Sequence, residues 1–210
     1  MKNKNLIIEV CTPTLATAIA ADKSGADRIE LCMDIESGGT TPTHANIEYC
    51  VRHLKLKTNV LIRPRAGNFV YSDAEFDIIK KDVLFCKNIG VNAVVVGFLN
   101  EDYSIDTKKT SFIVALAQPM EVTFHRAFDV CADWNIALEQ IIACGCTRIL
   151  TSGQKPTALE GAENIKLMVK QAAERIIILV GSGITMENYQ KLVKFTGVKE
   201  VHGTRLVLGA

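Results

Sequence analysis

The sequence predicts an α/β fold closed into a single TIM-type (β/α)8 barrel, and three observations predict it. Eight short, β-branched apolar runs recur with amphipathic segments between them, and their starts lie 22 to 34 residues apart. That spacing is the length of one strand, one helix and two turns. The runs are nearly continuous in apolar residues, as parallel strands covered on both faces must be. Finally, the first run is followed by Cys11-Thr12-Pro13-Thr14, without the glycine-rich turn expected of a doubly wound open sheet. At 210 residues the chain is at the lower end for eight such units and forms one domain over residues 1–210.

Taken in order, strands are expected at Leu6–Val10, Arg28–Cys32, Asn59–Arg63, Ala93–Gly97, Glu121–His125, Arg148–Thr151, Ile176–Val180 and Val198–His202. The first helix is the alanine-rich Thr14–Ser24. A longer one over Ser72–Lys87 puts Phe76, Ile79, Val83 and Cys86 on one stripe, and Ala158–Glu174 and Met186–Phe195 behave similarly. Ser72 with Glu75 three residues on is a capping box, and Asp133 and Thr185 stand ahead of helical runs. Gly25, Gly90, Gly145 and Gly197 close helices a few residues before the next strand. Only Gly203–Ala210 follow the last strand. The eighth helix is therefore short or missing, and another subunit is expected to cover that wall, since bare strand surface invites aggregation.

Composition excludes several classes of function. Lys and Arg total 24 against 23 Asp and Glu, for a net charge of +1, so no cationic field attracts nucleic acid or anionic membrane. The longest uncharged stretches, Asn88–Asn100 with 13 residues and Val10–Ala21 with 12 and Pro13 inside it, are too short to span a bilayer. The basic N-terminal residues and the short Leu6-Ile7-Ile8 run do not make a signal peptide. Seven irregularly spaced cysteines fit a reducing cytoplasm better than a disulfide framework. Neither a G-x-x-x-x-G-K-[ST] loop, H-E-x-x-H, G-x-S-x-G nor C-x-x-C occurs, so no nucleotide cofactor, zincin site or zinc finger is expected.

Chemistry in such a barrel sits at the C-terminal ends of the strands, and there the polar residues collect. They are Glu9 and Cys11, Glu30 and Cys32, Arg63 and Arg65, His125, Arg126 and Asp129, Ser152, Gly181-Ser182-Gly183, and His202. Residues two apart on a strand share a face, so adjacent strands one and two can bring two carboxylates and two thiols side by side. Two such carboxylates beside arginines would be costly to bury without a use, though they can also form an ion-pair plug. Glu9, Glu30 and His125 are the candidate acid–base groups, with His125 foremost. Arg63, Arg65 and Arg126, with Asp129, Ser152, Gly181, Ser182 and Gly183, are candidate anion-binding residues, the glycine-rich turn offering backbone N–H groups to a phosphate. Cys11 and Cys32 are either small buried hydrophobes or metal ligands. Cys50 and Cys86 fall on helix stripes, Cys144 and Cys146 flank a turn on the opposite face, and His44 and His53 read as surface helix residues.

At these same positions the sequence resembles the CutC family. The matching blocks are Glu9-Val-Cys11, Gly25-Ala-Asp-Arg-Ile-Glu-Leu-Cys32, Gly38-Gly-Thr-Thr-Pro42, Ile62-Arg-Pro-Arg65, Tyr71-Ser-Asp73, Thr123-Phe-His-Arg-Ala-Phe-Asp129, Leu150-Thr-Ser-Gly153, Ala158-Leu-Glu-Gly161 and Gly181-Ser-Gly-Ile184. The resemblance implies a (β/α)8-type barrel, a cytoplasmic location, a homo-oligomer (dimer or tetramer) and a role in copper homeostasis. It also implies that Cys11 and Cys32 are Cu(I) ligands, which suits a soft ion that accepts thiolates. Arginines in the same mouth point instead to an anionic, possibly phosphorylated small metabolite and an isomerase, aldolase or lyase.

Overall fold

The computed structural model describes residues 6–206. Eight strands form one closed parallel barrel in chain order, β1 through β8. They are β1 (Ile7–Thr12), β2 (Arg28–Leu31), β3 (Lys57–Leu61), β4 (Ala93–Val96), β5 (Glu121–Phe124), β6 (Arg148–Thr151), β7 (Ile177–Val180) and β8 (Glu200–Gly203). Seven α-helices lie among the described residues: α1 (Leu15–Asp22), α2 (His44–His53), α3 (Asp73–Ile89), α4 (Thr107–Ala117), α5 (Trp134–Ala143), α6 (Ala162–Ala172) and α7 (Tyr189–Thr196). The barrel read from the sequence is thus the barrel that forms.

The local signals act as read, with shifts that have physical causes. Ser72 and Glu75 form a reciprocal capping box on α3, and Gly90 ends that helix in the left-handed conformation. Asp133 caps α5. By contrast α7 begins at Tyr189, three residues later than the pattern suggests, because Thr185 is drawn into a parallel bridge with Arg205. The Asn188 side chain accepts the Thr185 N–H instead. Helix α6 starts at Ala162 rather than Ala158, the intervening turn placing Gly161 against Gly153. Strand β3 stops at Leu61; the Arg63 N–H leaves the ladder for the Thr41 hydroxyl, just before Pro64.

Strand parity sorts the core into two parts. Ile8, Val10, Ile29, Leu31, Val60, Val94, Val96, Phe124, Ile149, Val180 and Val201 face outward and join the helix stripes in one large apolar cluster. The other parity faces the barrel interior, where Cys11, Cys32, Leu61 and Val95 form a small separate cluster. Ile8, Val10 and Val201, on the wall expected to lie bare, are buried, so the exposed apolar surface that called for a covering subunit is not found there. The expectation about the eighth helix concerns residues 207–210 and lies outside the described residues.

Below the mouth the interior is charged rather than apolar. Arg28 bridges Glu9 and Glu200. Arg148 lies 3.3 Å from Glu200 and 2.7 Å from Glu121. All of these except Glu121 are nearly inaccessible, and their mutual pairing makes burial tolerable.

Candidate functional site in the barrel mouth

Register builds the site from β1, β2 and β8. Cys11 pairs with Glu30 across β1 and β2, so Cys32 lies on the diagonal, and the Cys11 and Cys32 sulfurs meet at 3.5 Å. On the other side of β1, Glu9 pairs with His202 of β8. The Glu9 carboxylate takes hydrogen bonds from Arg28 and from Asn59 Nδ2 at 2.9 Å, and its Oε1 lies 2.7 Å from His202 Nδ1. Ligand atoms of Cys11, Glu30 and His202 lie within 4.8 Å of one another, a set able to hold a metal ion. All three residues are buried.

The environment divides the two carboxyls. Burial alone would raise Glu9, but bonds and charges from His202 and Arg28 outweigh it and hold the carboxyl at about 2. Glu30 has its Oε2 buried without a hydrogen-bond partner among the described residues. Burial raises it to about 7, with the nearby Glu9 charge adding to the effect and His202 and Arg28 opposing it. Burial pushes His202 down, yet the Glu30 and Glu9 carboxylates more than compensate, and the imidazole lies above its ordinary value. The hydrogen bond to Cys32, then burial, then the Glu30 charge push the Cys11 thiol up.

These groups open onto a cavity of about 490 Å³, also lined by Arg63, Phe69, His125, Arg126, Ser182, Gly183, Thr204 and Arg205. The other residues singled out from the sequence fall into place around it. His125 lines the cavity, but burial and the Arg63 charge lower its imidazole to about 3. It is therefore neutral near pH 7, unlike the titrating group its position suggests. Arg63 spends its fork on the carbonyls of Ser37, Gly39 and Gly67, tying the loops after β2 and β3 together. Arg65 does not share its face: beyond the end of β3 the alternation rule lapses, and the side chain pairs with Glu75 and the Val70 carbonyl at the start of α3. Asp129 accepts from Arg126, Thr151, Ser152 and Gln154, organising the loops after β5 and β6. Ser152 is buried within that network. The Gly181 N–H is taken by the Thr151 carbonyl, and a Cβ there would lie 2.7 Å from Leu150, so this glycine serves packing. Ser182 bonds the Pro156 carbonyl, leaving Gly183 as the cavity-lining glycine of the turn.

The sequence places His202 at the mouth without a role there, and does not single out Arg28 and Glu200. Their signal was present in the parity of Arg28/Glu30 and Glu200/His202, which matches that of Glu9/Cys11. The remaining cysteines are buried and free. His44 stacks on Phe85 on the outer surface.

The chain is thus a closed eight-stranded α/β barrel with thiols, a carboxyl and an imidazole converging in its mouth, at the strand C-termini where barrels of this class carry their sites. The chain belongs to the CutC family, which it matches over residues 6–207. It is 41% identical over 198 residues to the family protein CutC of Chromobacterium violaceum, covering 94% of this chain and 80% of that protein. It is 40% identical over 196 residues to the copper homeostasis protein cutC homolog of Homo sapiens, covering 93% and 72%. Among solved structures, CutC of Streptococcus agalactiae superposes with a TM-score of 0.91 at 37% identity, covering 96% of this chain and 100% of that one. QR15, an aldolase, reaches a TM-score of 0.71 at 14% identity over 96% and 90% of the two chains, a likeness of fold alone. This is a protein of the copper homeostasis family with a TIM-barrel fold, and no helix among the described residues is long and apolar enough to cross a membrane.

Proposed function

We propose that this protein binds and handles Cu(I) in the cytoplasm through Cys11 and Cys32. The observation that carries the reading is the 3.5 Å approach of two reduced sulfurs on adjacent strands at the floor of an open cavity. Two thiolates suit soft Cu(I) and select it over harder ions. His202 and Glu30 stand beside Cys11 as further donors. Metal binding must displace the thiol protons that the Cys32 contact and burial retain on Cys11, so affinity rises with pH. Seven free, buried cysteines fit a reducing compartment, and the family resemblance supports a homo-oligomer. The test is anaerobic Cu(I) titration against a competing chelator, comparing wild type with Cys11→Ser/Cys32→Ser. Tight one-to-one binding abolished by the double substitution is expected; binding unchanged by it overturns the assignment.

One observation favours a second reading, a barrel isomerase, aldolase or lyase acting on an anionic small metabolite. Glu30 lines the cavity, its Oε2 has no hydrogen-bond partner among the described residues, and its carboxyl is raised to about 7, the property of a group that exchanges protons at neutral pH. Weak copper binding that ignores Cys11 and Cys32 would favour it.

A further inference from the structure

The cavity has a second polar wall that copper handling does not use. Its lining includes three arginines, Arg63, Arg126 and Arg205, against one carboxylate, Glu30. A mouth lined this way attracts anions. Its volume of about 490 Å³ is that of a small-molecule site. His125, at the end of β5, stands across the closed barrel from Cys11 on β1. Its ring is tightly placed: a Cβ at Gly97 would fall 2.4 Å from it.

The hydrogen bonding of that ring fixes its tautomer. Nδ1 accepts the Ala127 N–H at 3.1 Å, so the neutral imidazole carries its proton on Nε2. Nε2 has no hydrogen-bond partner among the described residues, although the residue is only 5% exposed. A buried donor left unpaired is costly, and such groups call for a ligand. Beside it, Arg126 gives Nε to Asp129 and Nη2 to Ser152. Nη1 has no partner among the described residues, while the two bonds hold the guanidinium in place. Glu30 on the facing wall has an unpartnered Oε2 of its own.

We propose that the barrel mouth binds a small hydroxylated organic anion, a carboxylate or phosphate ester, with His125 Nε2–H and Arg126 Nη1 as its oxyanion donors. Arg63 and Arg205 supply surrounding positive charge, and Glu30 faces the ligand's hydroxyl end. His125 acts here as a fixed donor and not as a base. The site shares the cavity with the sulfur pair but requires neither cysteine.

The test is titration of copper-free, 15N-histidine-labelled protein with inorganic phosphate, glycerate and 3-phosphoglycerate. The His125 Nε2 resonance is identified by its loss in His125→Gln. A saturable shift of that resonance with at least one probe is expected, and comparing the three separates phosphate from carboxylate recognition. The shift should persist in Cys11→Ser/Cys32→Ser, which makes the outcome independent of the copper reading. The dissociation constant should rise about tenfold or more in Arg126→Gln, the scale of one lost charged hydrogen bond. No shift with any probe up to about 10 mM, or equal binding by a folded Arg126→Gln variant, overturns the proposal.

Discussion

Replacing Arg28 by methionine should destabilise the copper-free protein by about 3 to 5 kcal/mol at pH 7, the range for removing one partner of a buried ion pair. Arg28 holds two buried carboxylates, Glu9 and Glu200, and neither side chain is more than 8% exposed. The Glu9 carboxyl gives a second route to the magnitude. It is lowered from 4.5 to about 2 by its partners, against the opposing effect of burial. At about 1.4 kcal/mol per pH unit, that depression corresponds to roughly 3 kcal/mol, shared among His202 and Arg28. Because the folded value lies below the unfolded one, the contribution is complete above about pH 4.5 and is lost as pH falls toward 2. In Arg28→Met the carboxyl loses this support, so protonation relieves the strain and the deficit should shrink at pH 4.5 by about 1 kcal/mol or more. Urea unfolding at both pH values reads the effect. A cost under about 1 kcal/mol at pH 7, or an equal cost at both, would refute the view that the charged interior is held by mutual pairing.

Glu30 should behave in the opposite sense. Its folded value, about 7, lies above the unfolded 4.5, so ionisation opposes folding as pH rises through that window. In the absence of copper, Glu30→Gln should therefore be stabilised relative to wild type by up to about 3 kcal/mol at pH 8, with little gain at pH 4.5; a pH-independent difference in urea unfolding contradicts the assignment. A Cβ at Gly161 would lie 1.9 Å from the Ser152 carbonyl oxygen, a backbone atom. Gly161→Ala should thus cost at least about 2 kcal/mol, and a thermal midpoint equal to wild type would show that the loop after β6 yields. Ser72→Ala removes the capping box of α3 and should cost about 1 kcal/mol in the same unfolding assay, with a loss near zero arguing that tertiary packing alone sets that helix end.

What was legible in the sequence was whatever depends on near neighbours along the chain. The spacing of apolar runs gave eight strands because each βα unit must cover its own strand. The Ser72/Glu75 pattern gave a helix start because the capping atoms lie within one turn. Cys11 and Cys32 could be paired because adjacent parallel strands with the same spacing bring their ends together. His202 could be placed at the mouth but not given a role, because its partner Glu9 is 193 residues away in sequence, joined only when the barrel closes. Arg65 was misplaced for a related reason: alternation holds only while the ladder does, and β3 ends at Leu61. His125 sits at the predicted strand end, yet its tautomer and neutrality come from the Ala127 N–H, burial and the Arg63 charge. Local patterns of hydrophobicity and turn chemistry determined the barrel, whereas closure, register and the low dielectric of the interior decided which polar groups meet, which are paired and which stand ready for a ligand.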